Sequence, residues 1–285
     1  QAAAAAEWVR ERRHEDKDLR IDLVVDNREK EEYAHDLSRY FQESLKKTDI
    51  APETPDGLPF VSGTDSAATA LASYADRVCR PEHPLDAVYF AGRGRELKLF
   101  IEALADPRHA DCDLTVLSGS SSVGVFFEQP GEPAPAAEGD LLGTWEKREG
   151  LTVLYTAYAH PSAPADIYDR DDPYPDFERR YTGAFGGRPQ VELGSGQAMM
   201  GYDAVYALAK AVRNAAGPAG DEDVDEAAVH NMLLQLGQGQ GGPVHGLSGE
   251  IAFDSRGRPR DRAVPLVELR PEPGRHYTYR DTLWP

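Results

Sequence analysis

With 285 residues, 28% of them charged and 40% hydrophobic, the chain is long enough for one large or two ordinary domains and has the composition of a globular protein. Its 49 acidic residues against 31 basic ones give a formal net charge of -18. That balance excludes a phosphate-binding groove for nucleic acid, disfavours an anionic membrane surface, and otherwise serves solubility. No run approaches the roughly 20 apolar residues of a membrane span.

The elements are read in chain order. Gln1–Arg13 predicts an Ala-rich helix, and its opening residues, Gln1–Ala6, lack the basic and apolar regions of a signal peptide. That lack does not place the chain in the cytoplasm. Arg20–Val25 predicts a short strand, and Glu31–Lys47 a helix with Tyr33, Leu37, Tyr40 and Phe41 on one face. Ala51–Pro59 reads as a loop, and Ser66–Cys79 as a helix N-capped by Thr64 or Asp65. Asp86–Ala91 and Leu114–Leu117 predict strands separated by a helix at Arg95–Leu104. Short, nearly all-apolar strands alternating with helices indicate βαβ units. The fold class is therefore α/β, a parallel sheet covered by helices on both faces, with the loops after the strands on one ligand-binding edge.

Glu128–Ala137 (Pro-, Glu- and Ala-rich) and the acidic Asp166–Pro175 read as loops on either side of a longer strand, Gly150–Tyr158. Helices are predicted at Phe177–Phe185, Ala198–Ala215 and Asp225–Leu236. Within the second, Val205, Leu208, Ala209 and Val212 have the spacing of one buried face. The Gly-rich Gly237–Gly249 is a connector to a short strand, Gly249–Asp254, that closes on an Asp-Ser-Arg-Gly turn. Val264–Leu269 is a final strand, and no internal repeat is present.

Little in the sequence carries reaction chemistry. Asp166, Asp169, Asp171 and Asp172 lack the Gly and late Glu of a calcium loop and read as a solvated acidic segment. Gly237–Gly242 follows a helix and lacks the Lys-Ser/Thr of a phosphate loop. Ser118-Gly119-Ser120-Ser121-Ser122 follows a strand and can present N–H groups and hydroxyls to a ligand, but it does not have the Gly-x-Ser-x-Gly pattern of a nucleophile. With eight scattered His and no acid–base set, no catalytic residue, metal site or cofactor is assigned. Cys79 and Cys112 fit no metal pattern. If the strands beside them are neighbours, a disulfide is geometrically feasible and would favour an oxidising compartment; otherwise they are two unrelated thiols.

Gly201–Val212 and Gly246–Asp254, together with Asp86-Ala87-Val88-Tyr89-Phe90-Ala91-Gly92, resemble the type I periplasmic solute-binding proteins of the branched-chain amino acid receptor family. The resemblance covers nearly the whole chain but only about the last two-thirds of a receptor; the opening lobe has no counterpart. It implies one nearly complete lobe plus part of the second. Residues 1–157 and 263–285 would be the C-terminal-type ligand-binding lobe, and 158–262 the remainder of the N-terminal-type lobe.

By this mapping the cleft positions fall at Lys30, beside Glu31, where the family often has an aromatic, and at Arg93 after the Asp86–Ala91 strand. Ser118, Ser120 and Ser121 fall where an acid commonly meets a ligand ammonium. Replacing that acid with Ser and adding Lys30 and Arg93 suits a carboxylate or phosphate better than an ammonium. The resemblance thus implies a non-enzymatic, extracytoplasmic receptor or sensor for a small, anionic or amino-acid-like molecule. Closure of two lobes would be read by a membrane permease or a fused membrane sensor. The alternative is a degenerate receptor-like domain, without ligand, used in protein–protein contact such as a homodimer.

Overall fold

The computed structural model describes residues 1–126, 148–163, 174–185, 191–217, 224–237, 244–260, 262–272 and 275–284. The expected loop at Glu128–Ala137, residues 166–173 of the expected loop Asp166–Pro175, and the glycines from 239 to 242 lie outside them; Tyr174 and Pro175 instead open a helix. The chain divides into two compact units, one comprising Gln1–Ala157 with Leu266–Leu283, the other Tyr158–Pro265.

The first unit is built on a seven-stranded sheet of order β2-β1-β3-β4-β5-β8-β9. β1 (Ile21–Asp26), β2 (Leu58–Phe60), β3 (Ala87–Ala91), β4 (Leu114–Ser118) and β5 (Leu151–Thr156) run parallel, with Leu23 beside Tyr89 and Val116 beside both Val88 and Val153. β8 (Val264–Glu272) then pairs antiparallel with β5, and β9 (Arg275–Leu283) forms the outer edge. β2 falls at the end of the segment expected to be a loop; three residues with a central Pro give no periodicity to read.

Helices cover both faces. α1 (Ala2–Glu15) and α2 (Glu32–Leu45) pack together on one face, α3 (Asp65–Val78) and α4 (Gly94–Leu104) on the other. Successive β3 side chains point to opposite faces. Tyr89 stacks on Phe41 of α2, with centroids 4.0 Å apart, while Phe90 lies 5.5 Å from Phe60 and 5.7 Å from Phe100 of α4. One expectation needs correction. Tyr40 leaves the buried face of α2, being half exposed beneath the Arg39 guanidinium, because Ala34, Leu37, Ser38, Phe41 and Leu45 already fill that face. Thr64 is the N-cap of α3, as expected, but makes no side-chain cap bond; its hydroxyl donates to the Val61 carbonyl (2.7 Å).

Cys79, at the end of α3, and Cys112, just before β4, form a disulfide with Cα atoms 5.2 Å apart. Beside it the buried Arg148 guanidinium donates to the carbonyls of Leu104 (3.3 Å), Ala110 (2.7 Å) and Cys112.

The second unit contains α5 (Tyr174–Phe185), α6 (Val191–Gly194), α7 (Gln197–Ala216) and α8 (Glu226–Leu234), with a hairpin of β6 (Val244–Gly246) and β7 (Gly249–Ile251). The Asp203 carboxylate on α7, 4% exposed, accepts from the N–H groups of Leu247 (2.6 Å) and Ser248 (2.8 Å) and from the Ser248 hydroxyl, capping the hairpin turn. Gly246 lies so close to that carboxylate that a Cβ there would collide with it. Asp254 accepts from the N–H groups of Arg256 and Arg258 in the turn after β7. The face assigned to α7 from sequence is reversed. Met199, Asp203, Ala207 and Ala211 are buried, whereas Val205, Leu208, Ala209 and Val212 face solvent.

Two predictions concern stability. The disulfide closes a sequence separation of 33 residues. Replacing both cysteines with Ser should cost on the order of 3–4 kcal/mol of chain-entropy stabilisation and lower the melting temperature by roughly 5–10 °C in a thermal scan. In the second unit, burial lowers the His160 imidazole from 6.5 to about 4. The folded protein holds it neutral while the unfolded chain takes up a proton near pH 6.5. The stability present above that pH is therefore lost as the pH falls toward 4. Urea unfolding at pH 7 and pH 4.5 should show a loss about 2–3 kcal/mol smaller in His160→Gln than in the native sequence.

Candidate functional site

The parallel strands all end on one edge of the first unit's sheet, and the loops leaving them are tied to one another. Asp26, the last residue of β1 and fully buried, accepts through Oδ1 from the N–H groups of Arg28 (3.1 Å) and Ser62 (3.0 Å), joining the loops after β1 and β2. Its Oδ2 and the Ser62 hydroxyl are buried with no hydrogen-bond partner among the described residues. Glu96, also buried, stands near Asp26. Burial, and secondarily the Asp26 charge, push its carboxyl above the usual range.

The loop after β1 then turns through Lys30, whose φ of 68° is left-handed, and delivers Glu31 as the N-cap of α2. Glu31 is 4% exposed, and its carboxylate is gripped from two sides. Arg93 donates to Oε1 through Nε (2.9 Å) and Nη2 (2.7 Å), and Arg28 donates to Oε2. Burial pushes the Glu31 carboxyl up, but the guanidiniums of Arg93 and Arg28 outweigh it and hold it below its ordinary value. The Arg93 guanidinium also lies over the Tyr33 ring, 5.4 Å from the centroid. The Tyr33 hydroxyl accepts from the Ser121 N–H (3.2 Å), and the Ser121 hydroxyl donates to the Gly92 carbonyl (3.1 Å). Gly119 is required here, because a Cβ would run into the Tyr33 hydroxyl and lie 3.0 Å from Leu37.

The residues singled out from sequence therefore separate. Arg93 and Ser121 meet in one network through Tyr33. Lys30 is exposed on the same rim and joins no ion pair among the described residues. Ser118 is buried and spends its hydroxyl on the Phe90 carbonyl (2.8 Å), tying β4 to β3 rather than facing a ligand. Ser120 is buried too, its N–H directed at the Gln1 side chain (3.5 Å). The residues that sequence reading passed over are Glu31, Arg28 and Tyr33. Their partners lie 62 and 88 positions away for Glu31 and Tyr33, which no local pattern announces.

What results is a buried Glu31 carboxylate flanked by Arg28 and Arg93, each nearly half exposed, with Lys30 and Glu29 exposed in the same loop. Arg93 uses Nε and Nη2 on Glu31, and among the described residues its Nη1 has no acceptor, so it can meet an anion in a direction set by Glu31 and Tyr33.

The sheet order, the antiparallel closing strands and the loops gathered on one edge make this the fold of the type I periplasmic binding proteins. Among solved structures it is similar to the leucine-binding protein LivK from Thermotoga maritima MSB8, with a TM-score of 0.63 and 18% identity over 100% of this chain and 65% of that one. Two structures of an ABC transporter substrate-binding protein from Desulfitobacterium hafniense, one in complex with Leu, are also similar. Their TM-scores are 0.58 and 0.59 at 18% and 19% identity, over 98% of this chain and 64% of theirs. This chain thus spans less than two thirds of each of these proteins. No protein-family model and no curated protein matches the sequence.

The clamp predicts its own pH dependence. A carboxyl held below its ordinary value of 4.5 contributes stability that is full above that pH and is lost as the pH falls through the folded-state value. Glu31→Gln should lower unfolding stability by about 1–2 kcal/mol at pH 7, since charge-assisted bonds to half-exposed guanidiniums are lost. In denaturant titrations the gap between the variant and the native sequence should narrow as the pH falls below 4.5 and the carboxyl takes up its proton.

Proposed function

We propose that the chain is the ligand-binding part of a non-enzymatic solute receptor, and that it takes a small carboxylate-bearing molecule, anionic or amino-acid-like, at the carboxyl edge of the seven-stranded sheet. The observation that carries this reading is Arg93, fixed by Glu31 and Tyr33 beside the Ser121 loop, with part of its guanidinium unspent. The leucine-binding neighbours support the ligand class, since leucine carries a carboxylate. In this reading Arg93 grips the carboxylate, Lys30 and Arg28 supply attraction from the rim, and Ser121 holds Tyr33 in place. The receptor acts outside the cytoplasm, where the Cys79–Cys112 disulfide persists, and passes its state to a membrane permease or a fused membrane sensor. No described helix is long and apolar enough to cross a membrane.

A thermal-shift panel of leucine, glutamate, short dicarboxylates and inorganic phosphate tests the proposal. A carboxylate at 100 times its dissociation constant should stabilise the protein by about 2.7 kcal/mol. Arg93→Ala should weaken that ligand at least tenfold while leaving the fold intact by circular dichroism. Silence across the panel, confirmed by calorimetry, would favour the domain that has lost its ligand and serves in protein contact.

A further inference from the structure

Two buried carboxyls, Asp26 and Glu96, lie near each other on this edge, and among the described residues neither accepts a hydrogen bond from a guanidinium. Asp26, at 0% exposure, has Oδ1 satisfied by two backbone N–H groups and Oδ2 left without a partner among the described residues. Ser62, 5% exposed and bonded to Asp26 through its N–H, has a hydroxyl in the same condition. Glu96, also 5% exposed, stands in the first turn of α4, three positions after Arg93. Both nearby guanidiniums, Arg93 and Arg28, spend their hydrogen bonds on Glu31. Burial is the strongest influence on the Glu96 carboxyl and favours its neutral form, and Asp26 acts in the same direction. Its own N–H at the helix start, with Arg95 and Arg28, favours the ionised form and is outweighed, so the carboxyl rises above its ordinary value of 4.5. Of the other elements packed on α4, α3 carries Asp65, Tyr74, Asp76 and Arg77, and the segment Ser120–Phe126 carries no titratable group.

We propose that a carboxylate seated on Arg93 is taken up together with a proton, which Glu96 carries beside Asp26. Glu96 thereby regulates the carboxylate grip, and this step rests on the reading of Arg93 as that grip. The proton comes from solvent onto the Glu96 carboxylate and returns to solvent when the ligand leaves; no other covalent bond forms or breaks. A protonated Glu96 brings an O–H donor to a buried place where Asp26 Oδ2 has none. Arg28 couples the two events. Its charge acts on Glu31, Asp26 and Glu96 at once. An anion arriving at the edge draws on the same guanidinium that helps keep Glu96 ionised, so Glu96 holds a proton more tightly when the anion is bound. By linkage the proton strengthens anion binding by the same factor. A metal cation is the poorer occupant, because the described residues assemble no group of three acidic, His or Cys ligands for one.

Leucine is the probe, because its own carboxylate and ammonium keep their charges between pH 5.5 and pH 8. Calorimetry in PIPES and in imidazole, whose ionisation heats differ, should show net proton uptake on leucine binding by the native sequence and none by Glu96→Gln. The native dissociation constant should rise about threefold or more from pH 5.5 to pH 8, within the limit of about tenfold per pH unit that one proton sets. Glu96→Gln, whose amide imitates the neutral acid, should keep the low-pH affinity throughout. Asp26→Asn, which retains Oδ1 for the two N–H groups, should move the native dependence to lower pH. A readout without ligand accompanies these. A carboxyl raised in the folded state contributes stability that is full below 4.5 and is lost as the pH rises through the folded-state value. The melting temperature of Glu96→Gln should therefore rise relative to the native one between pH 5.5 and pH 8. Identical pH profiles of melting in the two proteins would overturn the proposal. So would leucine binding that Arg93→Ala abolishes but that takes up no proton, a result that leaves the carboxylate grip standing. Failure of the native sequence to bind leucine even at pH 5.5 would strike the grip itself, and the coupling with it.

Discussion

The two-sided burial of β3 is the constraint from which the first unit follows. Ala87–Ala91 is buried at every residue, and its consecutive Tyr89 and Phe90 point to opposite faces, so both faces of the sheet must be covered. Parallel neighbours need crossovers long enough to bring a helix back over the sheet, and these crossovers share one hand. α2, α3 and α4 are those crossovers. They meet the strands on the edge where Asp26, Gly92 and Ser118–Ser121 lie, so the arrangement that buries Tyr89 and Phe90 also gathers the candidate binding loops.

This constraint explains which elements could be read from sequence. Strands buried on both faces are continuous apolar runs, so β1, β3, β4 and β5 stand out, as do the helices between them. β2 is too short to show a period, and β9, Arg275–Leu283, is a mostly polar edge strand without an apolar run. α7 shows the opposite failure. Its sequence holds two apolar faces, and spacing alone cannot say which of them finds a partner within the chain. The larger side chains, Val205, Leu208 and Val212, pointed to the wrong one. The smaller Ala207 and Ala211 are the buried ones, because the hairpin approaches closely enough for Asp203 to cap it.

The candidate site was legible only where family resemblance fixed a position. Arg93 could be located that way, but its state could not, because that state is set by Glu31 across 62 residues. A reading based on residue type takes Lys30 and Arg93 as two free cations. The folded protein instead spends part of Arg93 on a buried carboxylate and leaves Lys30 exposed.

That expenditure has a physical logic. An Arg side chain carries about 2 kcal/mol of rotamer entropy, which a ligand would otherwise have to freeze on binding. Glu31 and Tyr33 hold the guanidinium before any ligand arrives, at the cost of placing a carboxylate near the incoming anion. Glu31 partly offsets that cost, because it is shared with Arg28 and its charge is balanced twice over. Asp26 lies beneath the rim, with Oδ1 satisfied by two backbone N–H groups. Asp26, Glu31 and Glu96 thus lie buried on this edge, while Arg28, Lys30 and Arg93 lie at its surface together with the exposed Glu29 and Glu32. In a chain that is strongly acidic as a whole, selectivity for a small carboxylate at this edge would therefore come less from net local charge than from direction, supplied by the one guanidinium that is fixed in advance.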